Sequence, residues 1–131
     1  MSAIVTPFPV TAAKPAQVGF QRDELQRILD LYGRLVAAGE CRDYAMAFTA
    51  DAATFCAFRR AAERPMARIE KRPSLRAKQG MWTLIGEAGQ VLKRGHELAG
   101  VLFPLERKLL ALWGHFILVN HQLEQLAFQR E

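Results

Sequence analysis

Cysteine is scarce in this chain. Of 131 residues only Cys41 and Cys56 are cysteines, and they form no CxxC pair. That excludes a secreted disulfide scaffold and makes a reducing cytoplasm the default setting. Long apolar runs are missing too. The longest, Leu109–Val119, contains His115 and is too short to span a bilayer, so no membrane span is expected. The first residues lack a basic cluster, and Pro7, Pro9 and Pro15 break up the apolar ones, which argues against a signal peptide.

Catalytic and metal signatures are lacking as well. The three histidines are His96, His115 and His121; the last two lie six apart, not at the i, i+4 spacing that puts two ligands on one helix face. Gly86-Glu87-Ala88-Gly89 is not followed by GK[ST] and joins two strand-like stretches, so it reads as a turn and not a phosphate loop. Cys41 sits beside Glu40 and close to Asp43, and two carboxylates oppose thiolate formation. Both thiols are expected to be inert, Cys56 as a small core residue. No catalytic residue, cofactor or metal is assigned, and an enzyme is not expected.

What the chain does have is positive charge in one place. The net charge is +5. The segment from Arg59 to Arg94 holds ten Lys/Arg against Glu63, Glu70 and Glu87, a local balance of +7, so the remainder is slightly acidic. Such asymmetry marks an anionic partner or a well-solvated face.

The periodicity gives the elements. The first 19 residues show no sustained period and read as a flexible arm. Phe20–Gly39 carries Leu25, Ile28, Leu29, Tyr32, Leu35 and Val36 on one helical stripe, with Asp23 and Glu24 at the start and Gly39 at the close. Gly33 inside it implies either close packing or simple tolerance. Arg42–Thr49 alternates, and Ala53–Arg60 returns. Folding the two about Asp51 sets Tyr44 opposite Phe58, Met46 opposite Cys56 and Phe48 opposite Thr54, with Asp43 paired to Arg59 behind. Met66–Arg72 continues, with Ala67 and Ile69 inward and Arg68, Glu70 and Arg72 outward. Pro73–Gly80 is a basic loop. Met81–Ile85 and Val91–Arg94 make a second hairpin whose register is open by one residue, leaving Trp82 and Ile85 unassigned. The fold class is α+β: an antiparallel meander of four to five strands with an N-terminal helix and C-terminal helices on one face.

After Gly95 a helical pattern resumes. Leu98, Leu102, Leu105, Leu109, Leu112, Phe116, Val119, Leu123 and Leu126 recur at 4-3 spacing, a heptad seam. Pro104 is expected to split it, with Leu105 opening the second piece. Around Leu110, Trp113 and Ile117 the helix is apolar almost all round, and such a helix needs partners on more than one side. The domain reading is an arm over 1–19, one α+β domain over 20–108 and a helical extension over 109–131.

Three separated stretches, LYGRLVAAGECRDYA (Leu31–Ala45), FRRAAERPMARIEKRP (Phe58–Pro73) and GQVLKRGHELAGVL (Gly89–Leu102), resemble the alphaproteobacterial family known as domain of unknown function 2794. The resemblance runs from about Phe20 to Leu109 in the same order and spacing. It implies a small cytoplasmic bacterial protein and no activity, substrate or cofactor.

Two functional expectations follow. Arg59, Arg68, Arg72, Arg76, Lys78, Lys93 and Arg94 form a nucleic-acid or anion-binding surface in a nonenzymatic regulatory module, with Trp82 as the one aromatic placed to stack on a base. No helix-turn-helix, zinc finger or RNP-like pattern accompanies them, so binding would be weakly sequence-specific. In the alternative, Leu110, Trp113 and Ile117 form a partner interface for a homodimer or a protein-interaction adaptor.

Overall fold

The computed structural model describes the backbone of residues 16–60 and 64–130, and the side chains of these except 115–121 and 127–130. Residues 1–15 of the arm expected over 1–19, the side chain of Ile117 and those of His115 and His121 lie outside the described residues. Helix α1 (Arg22–Ala37) is followed by strands β1 (Asp43–Phe48), β2 (Ala53–Phe58), β3 (Ala67–Lys71), β4 (Trp82–Gly86) and β5 (Val91–Gly95), then helix α2 (Leu98–Arg130). The strands form one antiparallel sheet in the order β1-β2-β3-β4-β5. This is the α+β meander that the alternating pattern predicts.

Helix α1 starts where Glu24 accepts a hydrogen bond from the Gln21 N–H at 2.7 Å, satisfying one of the orphan donors of the first turn. It stops at Gly39, whose φ of 78° few other residues adopt without cost. Gly33 has open space around its Cα, so it is tolerated and not a close contact. Ile28, Leu31 and Leu35 of α1 meet Phe55, Ala67, Ile69, Trp82 and Leu84 of the sheet and Leu98, Val101, Leu102 and Leu105 of α2 in one core. Both helices therefore cover the same face. An aromatic cluster closes the β1 side: Tyr44 stacks on Phe55, and Tyr32 meets both edge-on.

The β1–β2 register differs from the expected one by one residue. Tyr44 lies opposite Ala57, Met46 opposite Phe55 and Phe48 opposite Ala53. The loop has four residues, Thr49–Ala52, and its midpoint falls between Ala50 and Asp51. Thr49 fixes this: its N–H donates to the Ala52 carbonyl, and its Oγ1 accepts from the N–H groups of Asp51 and Ala52. An ST-type turn of even length shifts the returning strand by one, and a shift of one exchanges its faces. Phe55 and Ala57 thus enter the core, while Thr54, Cys56 and Phe58 lie on the reverse face. Cys56 is consequently not a core residue beside Met46; it lies opposite Ala45. Asp43 lies opposite Phe58, so the expected Asp43–Arg59 pair does not form. Both thiols are free, as expected.

In the second hairpin, Trp82 and Leu84 face the helices, whereas Thr83 and Ile85 are buried on the reverse face. A β-bulge at Leu84/Ile85 offsets β5. Pro104 does not split the C-terminal helix: α2 runs unbroken for 33 residues. Proline here removes a single bond, to the carbonyl four residues back, and the residues around it, Val101, Leu102 and Leu105, are buried in the core, which holds the helix on course.

Candidate anion-binding surface

The basic segment does not act as one unit. Of its cations, Lys71 goes inward. It is in phase with Ala67 and Ile69 on the core side of β3 and is 6% exposed. Its Nζ donates to Glu24 Oε1 at 2.7 Å and to the Gly19 carbonyl at 2.9 Å, and sits 5.7 Å from the centre of the Trp82 ring. Lys71 ties the lead-in and first turn of α1 to the sheet. The two-residue period placed it on the core face, and its charge hid that signal.

Arg59 is drawn to the opposite end of the sheet from the β3–β4 loop. It pairs with Glu87 of the β4–β5 turn at 2.6 Å and lies 3.9 Å from Glu40, which also binds Lys108 at 2.9 Å. Arg68 lies mid-sheet on the reverse face, between Cys56 and Ile85, with its Nε buried and without a hydrogen-bond partner among the described residues. Arg72 is held by Glu70 at 3.0 Å.

Arg76, Lys78 and Arg94 come together at the β3–β4 loop, with Lys93 next to them on the edge strand. The stretch after β3 makes a short 3-10 turn, Pro73–Leu75, and Leu75 then accepts from the N–H groups of Lys78, Gln79 and Gly80. Gly80, with φ of 92°, lies so close to the β5 terminus that a Cβ there would sit 2.3 Å from the Gly95 carbonyl carbon. Arg94 of β5 donates to Gln79 Oε1. These contacts dock the loop bearing Arg76 and Lys78 against the strand bearing Lys93 and Arg94. Lys93 lies opposite Leu84 and Arg94 opposite Thr83, so the two project to opposite faces of the edge strand. Arg76, Lys78, Lys93 and Arg94 are exposed, and none has a carboxylate partner among the described residues. Trp82 is not available for stacking: at 2% exposure it lies under Phe20, ring on ring at 6.2 Å.

Neither thiol is activated. Burial and the neighbouring Glu40 push the Cys41 thiol up, against Arg59 and Lys108, and its Sγ lies 3.2 Å from Met66 Sδ. Burial pushes Cys56 up, against Arg68.

On the α1–α2 side, Leu110 is 68% and Trp113 60% exposed. They line an apolar groove of about 570 Å³ with Ala37, Ala38 and Phe103, beside the Arg34–Glu106 ion pair. Among the described residues no helix is long and apolar enough to cross a membrane.

The model of the family described as "Protein of unknown function (DUF2794)" matches residues 18–102. No curated protein and no solved structure matches the chain.

Proposed function

The chain belongs to the DUF2794 family, whose description names no activity, and on that premise we propose that it is a nonenzymatic cytoplasmic binding module that contacts the phosphate backbone of nucleic acid. The observation that supports this is the gathering of Arg76, Lys78 and Arg94 at the loop end of the sheet, with Lys93 on the other face of the same edge strand, all free of carboxylate partners among the described residues. With Trp82 buried, no base-stacking platform accompanies them among the described residues. The recognition is therefore electrostatic and carries little sequence preference.

The experiment is fluorescence anisotropy with a labelled duplex across salt. Four phosphate contacts give a slope of log K against log[salt] of about −3.6, or roughly a 150-fold loss between 50 and 200 mM salt. Changing Arg76, Lys78, Lys93 and Arg94 together to Glu abolishes binding, whereas Arg59→Glu leaves it nearly unchanged. Negligible affinity of the wild type for DNA and RNA at low salt refutes the reading.

A second reading rests on the apolar groove at Phe103, Leu110 and Trp113. Exposed apolar area of this kind serves protein interaction, and here it suits an apolar helix of a partner protein. Trp113→Glu would then abolish the interaction while leaving nucleic-acid affinity intact.

A further inference from the structure

The sheet has two edges, and they are built differently. β5 carries Lys93, Arg94 and a bulge, the devices that keep an edge strand from pairing with another chain. β1 carries none of them. Its sequence is DYAMAF, with Asp43 the only charge, no proline, an unbroken register against β2 and all six residues exposed. Tyr44 is 46%, Met46 37% and Phe48 38% exposed. Two of the three are already ordered: Tyr44 stacks on Phe55 at 5.2 Å and Phe48 meets Phe20 edge-on at 5.9 Å.

The strand is symmetric about Met46: aromatic, alanine, methionine, alanine, aromatic. Its backbone has the matching symmetry. Thr49 donates to Ala52 across the turn, so by alternation Ala47 and Ala45 direct their N–H and C=O groups to β2. Tyr44, Met46 and Phe48 direct theirs to the other edge, where no described residue pairs with them; the lead-in to α1 meets the chain just past the strand, where the Val18 N–H donates to the Thr49 carbonyl at 2.8 Å.

We propose that β1 pairs antiparallel with β1 of a second copy of this chain, about a two-fold axis at Met46, to form one continuous ten-stranded sheet. Met46 then faces Met46 of the other copy, Tyr44 faces Phe48, and Ala45 faces Ala47. The three residues whose backbone groups are open become hydrogen-bonded pairs, and the helices of both copies lie on one side. A slip of one residue would set Tyr44 opposite Ala47 and break this match. Charge is complementary at both ends of the ladder: Arg42 of one copy comes beside the turn that carries Asp51 of the other. Both are exposed, and neither has an ion-pair partner among the described residues. The pairing is isologous, so it closes at a dimer. It is independent of the basic surface and of the α2 groove.

The test uses the full chain. Light scattering at rising concentration is expected to give twice the 14.7 kDa monomer mass. Met46→Pro removes a backbone donor that no described residue of the single copy uses and the dimer does, so it returns the protein to monomer mass with its circular dichroism retained. Met46→Lys does the same by charge repulsion across the axis. In the wild type, the amides of Tyr44, Met46 and Phe48 exchange slowly at high concentration and fast at low. A monomer at the highest soluble concentration overturns the proposal. So does a dimer that persists in both Met46 variants, or one that only Trp113→Glu disrupts, which moves the interface to α2. Slow exchange of the three amides in a monomer, lost on deletion of residues 1–15, also overturns it by making that segment the occupant of the edge.

Discussion

Lys71 and Glu24 allow a sharp test of what holds α1 to the sheet. The two side chains are 7% and 13% exposed, and their atoms lie 2.7 Å apart. Removing one member of such a pair leaves a charge stranded out of water, and the cost is typically about 3–5 kcal/mol. Glu24→Ala is the harsher change: the ammonium keeps the Gly19 carbonyl and the Trp82 ring but no anion, and the Gln21 N–H loses its acceptor. At about 3–5 °C per kcal/mol for a chain of this size, it should lower Tm by at least about 9 °C. Lys71→Met costs less, roughly 1–3 kcal/mol, because Glu24 keeps the Gln21 N–H and some water. Making both changes removes the stranded charge altogether. The double variant is therefore expected to be more stable than Glu24→Ala alone, with a coupling energy above about 1.5 kcal/mol in urea titrations of the four proteins. If the double variant instead loses the sum of the two singles, with coupling below about 0.5 kcal/mol, the pair behaves like a surface salt bridge and the reasoning is wrong.

Two further expectations follow. Gly80→Ala should cost more than about 2 kcal/mol, since it combines a left-handed φ with a Cβ 2.3 Å from the Gly95 carbonyl carbon; an unchanged urea midpoint would show that the loop does not dock on β5. The burial-raised thiols of Cys41 and Cys56 stay neutral in the folded chain above their ordinary value near 9.0, while the unfolded chain ionises there. Their contribution to stability is therefore complete below about pH 9 and is lost as pH climbs through the folded-state values. Cys41→Ala should flatten the fall of Tm between pH 9 and higher pH, and an identical slope in wild type and variant would refute the assignment.

The strand order and the helices on one face are legible in the chain because two-residue and 3.6-residue periods survive averaging over a whole element. The β1–β2 register is not, because it turns on the parity of a loop. Ala50-Asp51-Ala52 reads as an odd loop centred on Asp51; Thr49 makes it even by lending its side chain to the turn. One hydroxyl thereby exchanges Phe55 for Cys56 in the core. Pro104 misleads for a related reason: a local rule about helix bonds is overridden by the burial of Val101, Leu102 and Leu105, which only the folded chain provides.

The candidate site was legible as a sum and not as a place. A balance of +7 over Arg59–Arg94 counts cations that the fold then spends elsewhere: Lys71 on Glu24, 47 residues away, and Arg59 on Glu87 and Glu40. What remains exposed at the loop end of the sheet comes from a narrower signal. Between Glu70 and Glu87 the chain has no acidic residue at all. Arg76 and Lys78 lie inside that interval, and the hairpin turn at Gly86–Gly89 brings Lys93 and Arg94 back alongside it. Lys71 and Arg72, at the start of that interval, still find Glu24 on α1 and Glu70 close by in sequence; past them no described acid lies within reach, so the acid-free interval read together with strand pairing locates the patch, where the charge total alone spreads it over the whole sheet.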